Sequence, residues 1–207
     1  MAKQDRAVRT REAVLVAAGE AFADNGFLGT SMADILERAG VTKGALYFHF
    51  ASKEELAFAL IEEEELRAGQ MVNEFLERDL PPLQTLIAMV NRWAQIIQTD
   101  PVVRAGVRLI VEQGTYNRPM PGPYGQWDTR VAELLERAAE QGDLRKGVDS
   151  KAAAEFIVAA FTGIQLVSQI SSAHQDLQER LQVMWELLLG GLLAEGRSVV
   201  FVPGGAL

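Results

Sequence analysis

Thr42, Lys43, Gly44, Tyr47 and His49 crowd into one short stretch, Gly40-Val41-Thr42-Lys43-Gly44-Ala45-Leu46-Tyr47-Phe48-His49-Phe50. These residue types at these spacings suit contact with a nucleic acid. Lys43 and Tyr47 are four apart and share one helical face, while Leu46 and Phe50, also four apart, share another. The helix thus has an apolar pair to anchor it and a polar pair to present. Lys43 could donate to guanine O6 or N7. Tyr47 could meet a phosphate or a thymine methyl, and His49 a phosphate. Gly44, with no side chain, lets the backbone come close to a phosphate or base edge. Thr42, Ser31 and Thr30 stand at helix starts, where amides and short hydroxyls favour phosphate. Arg6, Arg9 and Arg11 could form a basic arm onto the DNA backbone or minor groove, and Lys53 adds a further candidate phosphate contact. Ser31, Thr42 and Ser52 also read as N-caps, the commonest role of such residues. We expect both roles for Ser31 and Thr42 and capping alone for Ser52.

The elements that must position these residues are helical, so the fold class is all-α. Apolar residues at Val14, Ala17, Ala18, Ala21 and Phe22 predict a first helix over about 8–25, ended by Asn25-Gly26. Ser31 and Asp34 form a capping box for a short helix that Gly40 stops. Thr42 starts the next, and Ser52 with Glu55 starts a long fourth helix over about 52–78. Three helices joined by a tight Gly-Val-Thr turn have the helix-turn-helix layout. Glu62-Glu63-Glu64-Glu65 reads as a solvated face that repels DNA. Further helices are expected near 83–98, from Asp100-Pro101 as N-cap and first-turn proline to about 113, and near 125–141, 149–171 and 174–195. Three prolines make 114–126 a loop. Apolar stripes through Ala153, Phe156, Ile157, Ala160, Ile164 and Val167, and through Leu181, Met184, Trp185, Leu188, Leu189 and Leu192, imply a four-helix interface between two copies of the chain. They could instead fill the monomer's own core. Only Val199-Val200-Phe201-Val202 hints at strand.

Composition bounds the remaining possibilities. The 207 residues carry a net charge of −8 and a pI near 4.9, which on average opposes nucleic-acid binding. The charge is uneven: residues 1–53 hold seven Lys/Arg against six Asp/Glu, leaving −9 on the rest. Phosphate affinity follows local charge. With no cysteine there is no disulfide or thiolate chemistry. The N-terminus lacks a signal-peptide pattern, and the stretch 156–170, broken by Thr162, Gly163, Gln165 and Ser168, reads as too short and polar for a membrane span. The expected location is cytoplasmic. No catalytic motif, metal ligand set or cofactor loop is evident. A helical enzyme or a helical adaptor are the alternatives from other classes, and an adaptor would leave the outward Lys43/Tyr47 pair unexplained.

Thr30 to Glu55, TSMADILERAGVTKGALYFHFASKEE, resembles the signature of the TetR family of transcriptional repressors over its full length. The resemblance implies an N-terminal helix-turn-helix domain (1–53), a ligand-binding and dimerisation domain (54–195) and a tail (196–207). It implies a homodimer on double-stranded operator DNA. Thr42, Lys43, Gly44, Tyr47 and His49 carry over as DNA contacts, with Ser31 and Lys53 in support.

A narrower resemblance rests on MAKQDRAVRTR, GVTKGALYFHFASKEELA, VVRAGVRL at Val102–Leu109, FTGIQLVSQ at Phe161–Gln169, and Trp127. Together these look like the γ-butyrolactone autoregulator receptors of antibiotic-producing actinobacteria, in which a small lactone releases the repressor from antibiotic-pathway promoters. Pseudo-receptors of the same subfamily, which sense antibiotics, butenolides or furans, are the alternative. The resemblance places Trp127 in the ligand pocket, where an indole offers an apolar wall and one N–H. Otherwise Trp127 packs the core. Thr162 and Gln165 are polar positions on an apolar helix. They point into the same cavity, or Thr162 bonds back to the preceding turn. Trp93 and Trp185 have weaker claims, Trp185 as interface or core.

Overall fold

The computed structural model describes residues 2–112 and 124–199. Nine α-helices lie among them: α1 Ala2–Asn25, α2 Met32–Ala39, α3 Lys43–His49, α4 Lys53–Leu76, α5 Pro82–Thr99, α6 Pro101–Val111, α7 Tyr124–Glu140, α8 Ser150–Ser172 and α9 Leu177–Leu192. The expected loop at 114–126 falls largely outside the described residues, as does most of the tail. Pairing outside helices amounts, among the described residues, to one isolated bridge between Leu144 and Leu193.

The local stop and start signals work as the sequence predicts. Gly26 takes φ 71° and its amide closes on Phe22 O at 2.9 Å, ending α1. Ser31 and Asp34 form the reciprocal capping box of α2, and Gly40 ends that helix at φ 61°. The bonds from Ser31 hold the Asp34 carboxyl below its ordinary pKa. Asp100 accepts from the amides of Val102 and Val103 at 2.9 and 3.3 Å, with Pro101 in the first turn of α6. One start differs. α1 is helical from Ala2, so Arg6 and Arg9 ride on a helix and do not form a free arm.

The chain folds into two compact units, residues 1–69 with 99–121, and residues 70–98 with 122–207. The first is therefore built from two separate stretches of chain. Its core joins Val14, Phe22, Ile35, Leu46, Phe50, Leu56, Leu60, Val102 and Leu109, drawn from α1, α2, α3, α4 and α6. Helix α6 packs along α1 so closely that a Cβ on Gly19 would come within 3.1 Å of the Pro101 backbone. A Cβ on Gly106 would meet the Glu64 side chain at 2.5 Å. Glu64 is thereby buried, at 3% exposure, with no partner for Oε2 among the described residues. This corrects the reading of 62–65 as a solvated face: four consecutive helical residues cannot all face water when the helix has a packed side. Burial, aided by the Glu65 charge, pushes the Glu64 carboxyl up to about 8.

In the second unit α5 is buried along almost its whole length, from Pro82 to Ile97. Helix α7 packs on α8, and α8 on α9. The apolar stripes divide differently from expectation. Leu181, Met184 and Trp185 of α9, and Ile157 of α8, are core. Trp185 Nε1 donates to Asn91 Oδ1 at 3.3 Å. Apolar residues that face outward include Phe156, Val167 and Ile170 (79% exposed) on α8 and Val183 and Leu187 (75%) on α9. By length and composition alone α8, which is longer than the stretch 156–170, holds an 18-residue window apolar enough to cross a membrane, with a mean hydropathy of 1.5. Its polar Gln165 and Ser168 are turned inward.

The turn between α8 and α9 is held by polar bonds. Ala173 and His174 both take left-handed φ, 51° and 66°. The hydroxyls of Ser168 and Ser172 donate to Asp176 Oδ1 at 2.5 and 2.6 Å, and Arg180 Nε donates to Oδ2 at 2.7 Å. The two serine bonds, followed by Arg180, lower the Asp176 carboxyl to about 2.

Glu64 generates a test. Its carboxyl titrates near 4.5 in the unfolded chain and near 8 when folded, so the folded state holds the proton more tightly. Stability therefore falls as pH rises through that window and levels off above it. A Glu64→Gln variant, which stays neutral, is expected to be about as stable as the wild type at pH 4.5 and more stable beyond pH 8, by at most about 5 kcal/mol. Thermal unfolding at the two pH values measures this.

Candidate nucleic-acid interface and effector residues

The stretch Thr42–Phe50 forms a short helix with two different sides. Thr42 Oγ1 accepts from the Ala45 amide at 3.2 Å, making it the N-cap of α3. Leu46 and Phe50 are buried in the core of the first unit, as their spacing predicts. Lys43, Gly44 and Tyr47 are exposed, with Lys43 Nζ 5.9 Å from the centre of the Tyr47 ring. A Cβ on Gly44 would meet open space, so the folded chain itself does not require glycine there. His49 is half-buried, its ring edge-on to Phe48 at 5.1 Å.

The remaining candidates divide by what their polar atoms already do. Thr42 accepts at its cap, so its O–H proton is still available to a phosphate. The Ser31 hydroxyl accepts from the Asp34 amide at 3.2 Å and donates to Asp34 Oδ2 at 2.8 Å. Its proton is engaged, and a phosphate would have to displace a carboxylate. Thr30 is buried, and its hydroxyl donates to Ala21 O and Gly26 O at 3.0 and 2.8 Å, which corrects its reading as a phosphate contact. Lys53 Nζ donates to Phe27 O and Thr30 O at 2.8 and 2.9 Å and sits 4.3 Å from the Phe27 ring centre. Its charge is spent on the turn before α2. Arg11 lies over the Phe50 ring and 3.8 Å from Glu63. Arg6 and Arg9 stand exposed on the first turns of α1. Beside His49 a cavity of about 540 Å³ sets Arg11 against Glu54, Glu55 and Glu62. Those carboxylates disfavour a phosphate in it.

Sequence reasoning missed Phe48, which is 80% exposed on α3. Pairing residues four apart weighs Lys43 with Tyr47 and Leu46 with Phe50, and leaves the position between them unexamined. The signal was available in the helical angle measured from Leu46.

In the second unit Trp127 lies half-buried near the start of α7, its ring 5.9 Å from that of Trp93 and tilted by 43°. Thr162 donates back to Val158 O at 2.9 Å, the second of its two readings. Gln165 is buried, and its Oε1 has no hydrogen-bond partner among the described residues. Asn91 Nδ2 is in the same position, although Asn91 Oδ1 accepts from Trp185. An unpaired buried polar group costs about 1–3 kcal/mol. An acceptor and a donor left open inside this unit are therefore candidates for pairing with a ligand. Sequence reasoning missed Asn91, which sits in a strongly apolar helix. A cavity of about 410 Å³ between Pro81, Gln141, Asp143 and Arg197 includes none of the expected effector residues.

Residues 14–60 match the family description "Bacterial regulatory proteins, tetR family", and residues 80–194 match "Tetracyclin repressor-like, C-terminal domain". The A-factor receptor protein of Streptomyces griseus is 39% identical over 99% of this chain and 71% of that protein. A solved structure described as the molecular basis for control of antibiotic production by bacterial hormones shares 43% identity. It covers 90% of this chain and 99% of its own, with a TM-score of 0.81. A γ-butyrolactone receptor described as ArpA-like is 30% identical, covers 93% and 91%, and has a TM-score of 0.79.

The bonds of Lys53 separate its role from that of Lys43. Lys53→Ala is expected to lose about 1–3 kcal/mol of unfolding free energy in urea, as two charge-assisted bonds to carbonyls disappear. Lys43→Ala, exposed and with its ammonium 5.9 Å from the Tyr47 ring centre, should stay within about 0.5 kcal/mol of wild type.

Proposed function

Because the chain belongs to the TetR family of bacterial regulatory proteins, we propose that it is a ligand-responsive transcriptional repressor, released from operator DNA by a small γ-butyrolactone-type signal and controlling antibiotic or other secondary-metabolite genes. The observation that carries this reading is α3, anchored by Leu46 and Phe50 and open to solvent at Lys43, Gly44 and Tyr47. A helix divided in this way can lie in a major groove without giving up its own core. Thr42 adds a hydroxyl proton for phosphate, and His49 lies at the edge of the face. Arg6 and Arg9 are backbone contacts delivered by a helix. Ser31 and Lys53 act through the frame of the domain, holding α2 and the turn before it.

We assign DNA binding to residues 1–53 and effector binding with dimerisation to 54–195. The outward apolar residues of α8 and α9 are the surface for a second copy, and the pairing of two such helices from each subunit gives a four-helix interface. A two-fold axis then presents two α3 helices to a pseudo-palindromic operator. Likeness to the A-factor receptor and to the ArpA-like receptor supports a lactone effector. Trp127 would supply an apolar wall and Gln165 Oε1 an acceptor for a ligand hydroxyl. Thr162, bonded to its own helix, contributes shape. Release needs only that the effector bind one arrangement of the dimer better than the other. The chain acts in the cytoplasm and does its work by binding, without catalysis.

The test is a gel shift on DNA upstream of the protein's own gene, with and without extract of a butyrolactone producer. Wild type should be retained and then released. A Lys43→Ala/Tyr47→Ala double variant should keep its dimer and lose retention at least tenfold, at about 1.4 kcal/mol per decade. Trp127→Ala should be retained but not released. Unchanged retention of the double variant overturns the DNA assignment, and normal release of Trp127→Ala overturns the effector assignment.

A further inference from the structure

Phe48 faces most directly away from the protein. Helical residues advance by about 100°, so with Lys43 at zero Leu46 lies near 300°. The direction opposite Leu46, about 120°, falls between Gly44 at about 100° and Phe48 at about 140°. Lys43 and Tyr47, at about 0° and 40°, are on the flank. The exposures agree: Phe48 is 80% exposed and Tyr47 45%, while Leu46 is fully buried. Gly44, one turn earlier, leaves open space beside the ring. The His49 ring meets Phe48 edge-on at 5.1 Å, giving the phenyl group one neighbour and an open side.

We infer that Phe48 packs against the 5-methyl group of one thymine in each operator half-site. The inference rests on the DNA-binding reading above and names what the centre of that face recognises. A phenyl ring can neither donate nor accept a conventional hydrogen bond. Set over N7, O6, O4 or an exocyclic amine, it would strip water from a polar edge without replacing it. The thymine methyl is the one apolar group that a base pair projects into the major groove, and it matches the ring's chemistry. A large apolar side chain left in water at the tip of the anchored helix is covered when that methyl arrives. Lys43 and Tyr47 then serve the flank, toward polar base edges and phosphates.

The experiment starts with duplexes that the wild-type protein enriches from a random pool. In the best duplex, thymines are replaced one at a time by uracil, which removes only the methyl. One thymine in each half-site should be sensitive, its replacement weakening binding about fourfold, as expected for one methyl-sized apolar contact. In Phe48→Ala the thymine and uracil forms should bind alike, with an unchanged unfolding temperature because the ring lies outside the core. Wild type that ignores every replacement overturns the inference without using any variant. A Phe48→Ala protein that keeps the same sensitivity overturns it too, and assigns the methyl to another residue. If wild type enriches no duplex, the repressor reading itself fails, and the inference with it.

Discussion

The turn between α1 and α2 is the constraint on which the first unit depends. Residues 23–30 leave a helix end and carry carbonyls and amides that no regular element satisfies. Side chains from three directions satisfy them. Arg108 donates to Ala23 O at 2.8 Å and to Asp24 O at 3.2 Å, a cation at a helix C-terminus where the dipole favours it. Glu112 accepts from the Phe27 amide at 2.8 Å. Lys53 closes on Phe27 O and Thr30 O, and the Thr30 hydroxyl turns inward to Ala21 and Gly26. Glycine suits position 26, where φ is 71° and a Cβ would press on the Glu112 carboxylate that holds the turn. The angle at which α2 leaves α1, and with it the aim of α3, follows from these few bonds.

The same use of charge limits the cations left over for the DNA contact proposed for α3. Several basic residues near the interface are engaged within the protein: Lys53 and Arg108 on carbonyls, Arg11 on Phe50 and Glu63, Arg38 on Asp24. Those left toward solvent include Arg6, Arg9 and Lys43. Few cations and a large apolar group on α3 favour shape and methyl contacts over a dense grip on phosphates. In the second unit the same economy appears as unpaired polar atoms, Gln165 Oε1 and Asn91 Nδ2, within an otherwise apolar interior.

Features set by residues a few positions apart were legible in the sequence. The Ser31–Asp34 box, the Asp100-Pro101 start, the Gly26 and Gly40 stops and the Leu46/Phe50 anchor each need only local geometry, and each is found as read. Features set by distant neighbours were not. Nothing in Glu62–Glu65 says that Glu64 is the one turned inward, because Gly106 on α6 decides that. Lys53 looked like a phosphate ligand because its carbonyl partners lie more than twenty residues away. The stripes on α8 and α9 were correctly seen as apolar, but which part meets the monomer's core depends on α5 and Asn91. Thr30 was misread for the same reason: its hydroxyl is consumed by the end of α1.

Gly19 and Gly106 give α6 an unusual mechanical character. Most helix pairs are separated by a layer of leucines and isoleucines that can change rotamer and absorb a small shift. Where α6 meets α1 at Gly19, backbone lies on backbone, and where it meets α4 at Gly106, it lies against the stem of Glu64. At Gly19 no compliant side-chain layer exists. A displacement of α6 toward α1 there meets backbone directly. The spacing of α6 from α1 is thus fixed at that point by the backbone, while its Val102 and Leu109 side chains fill the core beside it.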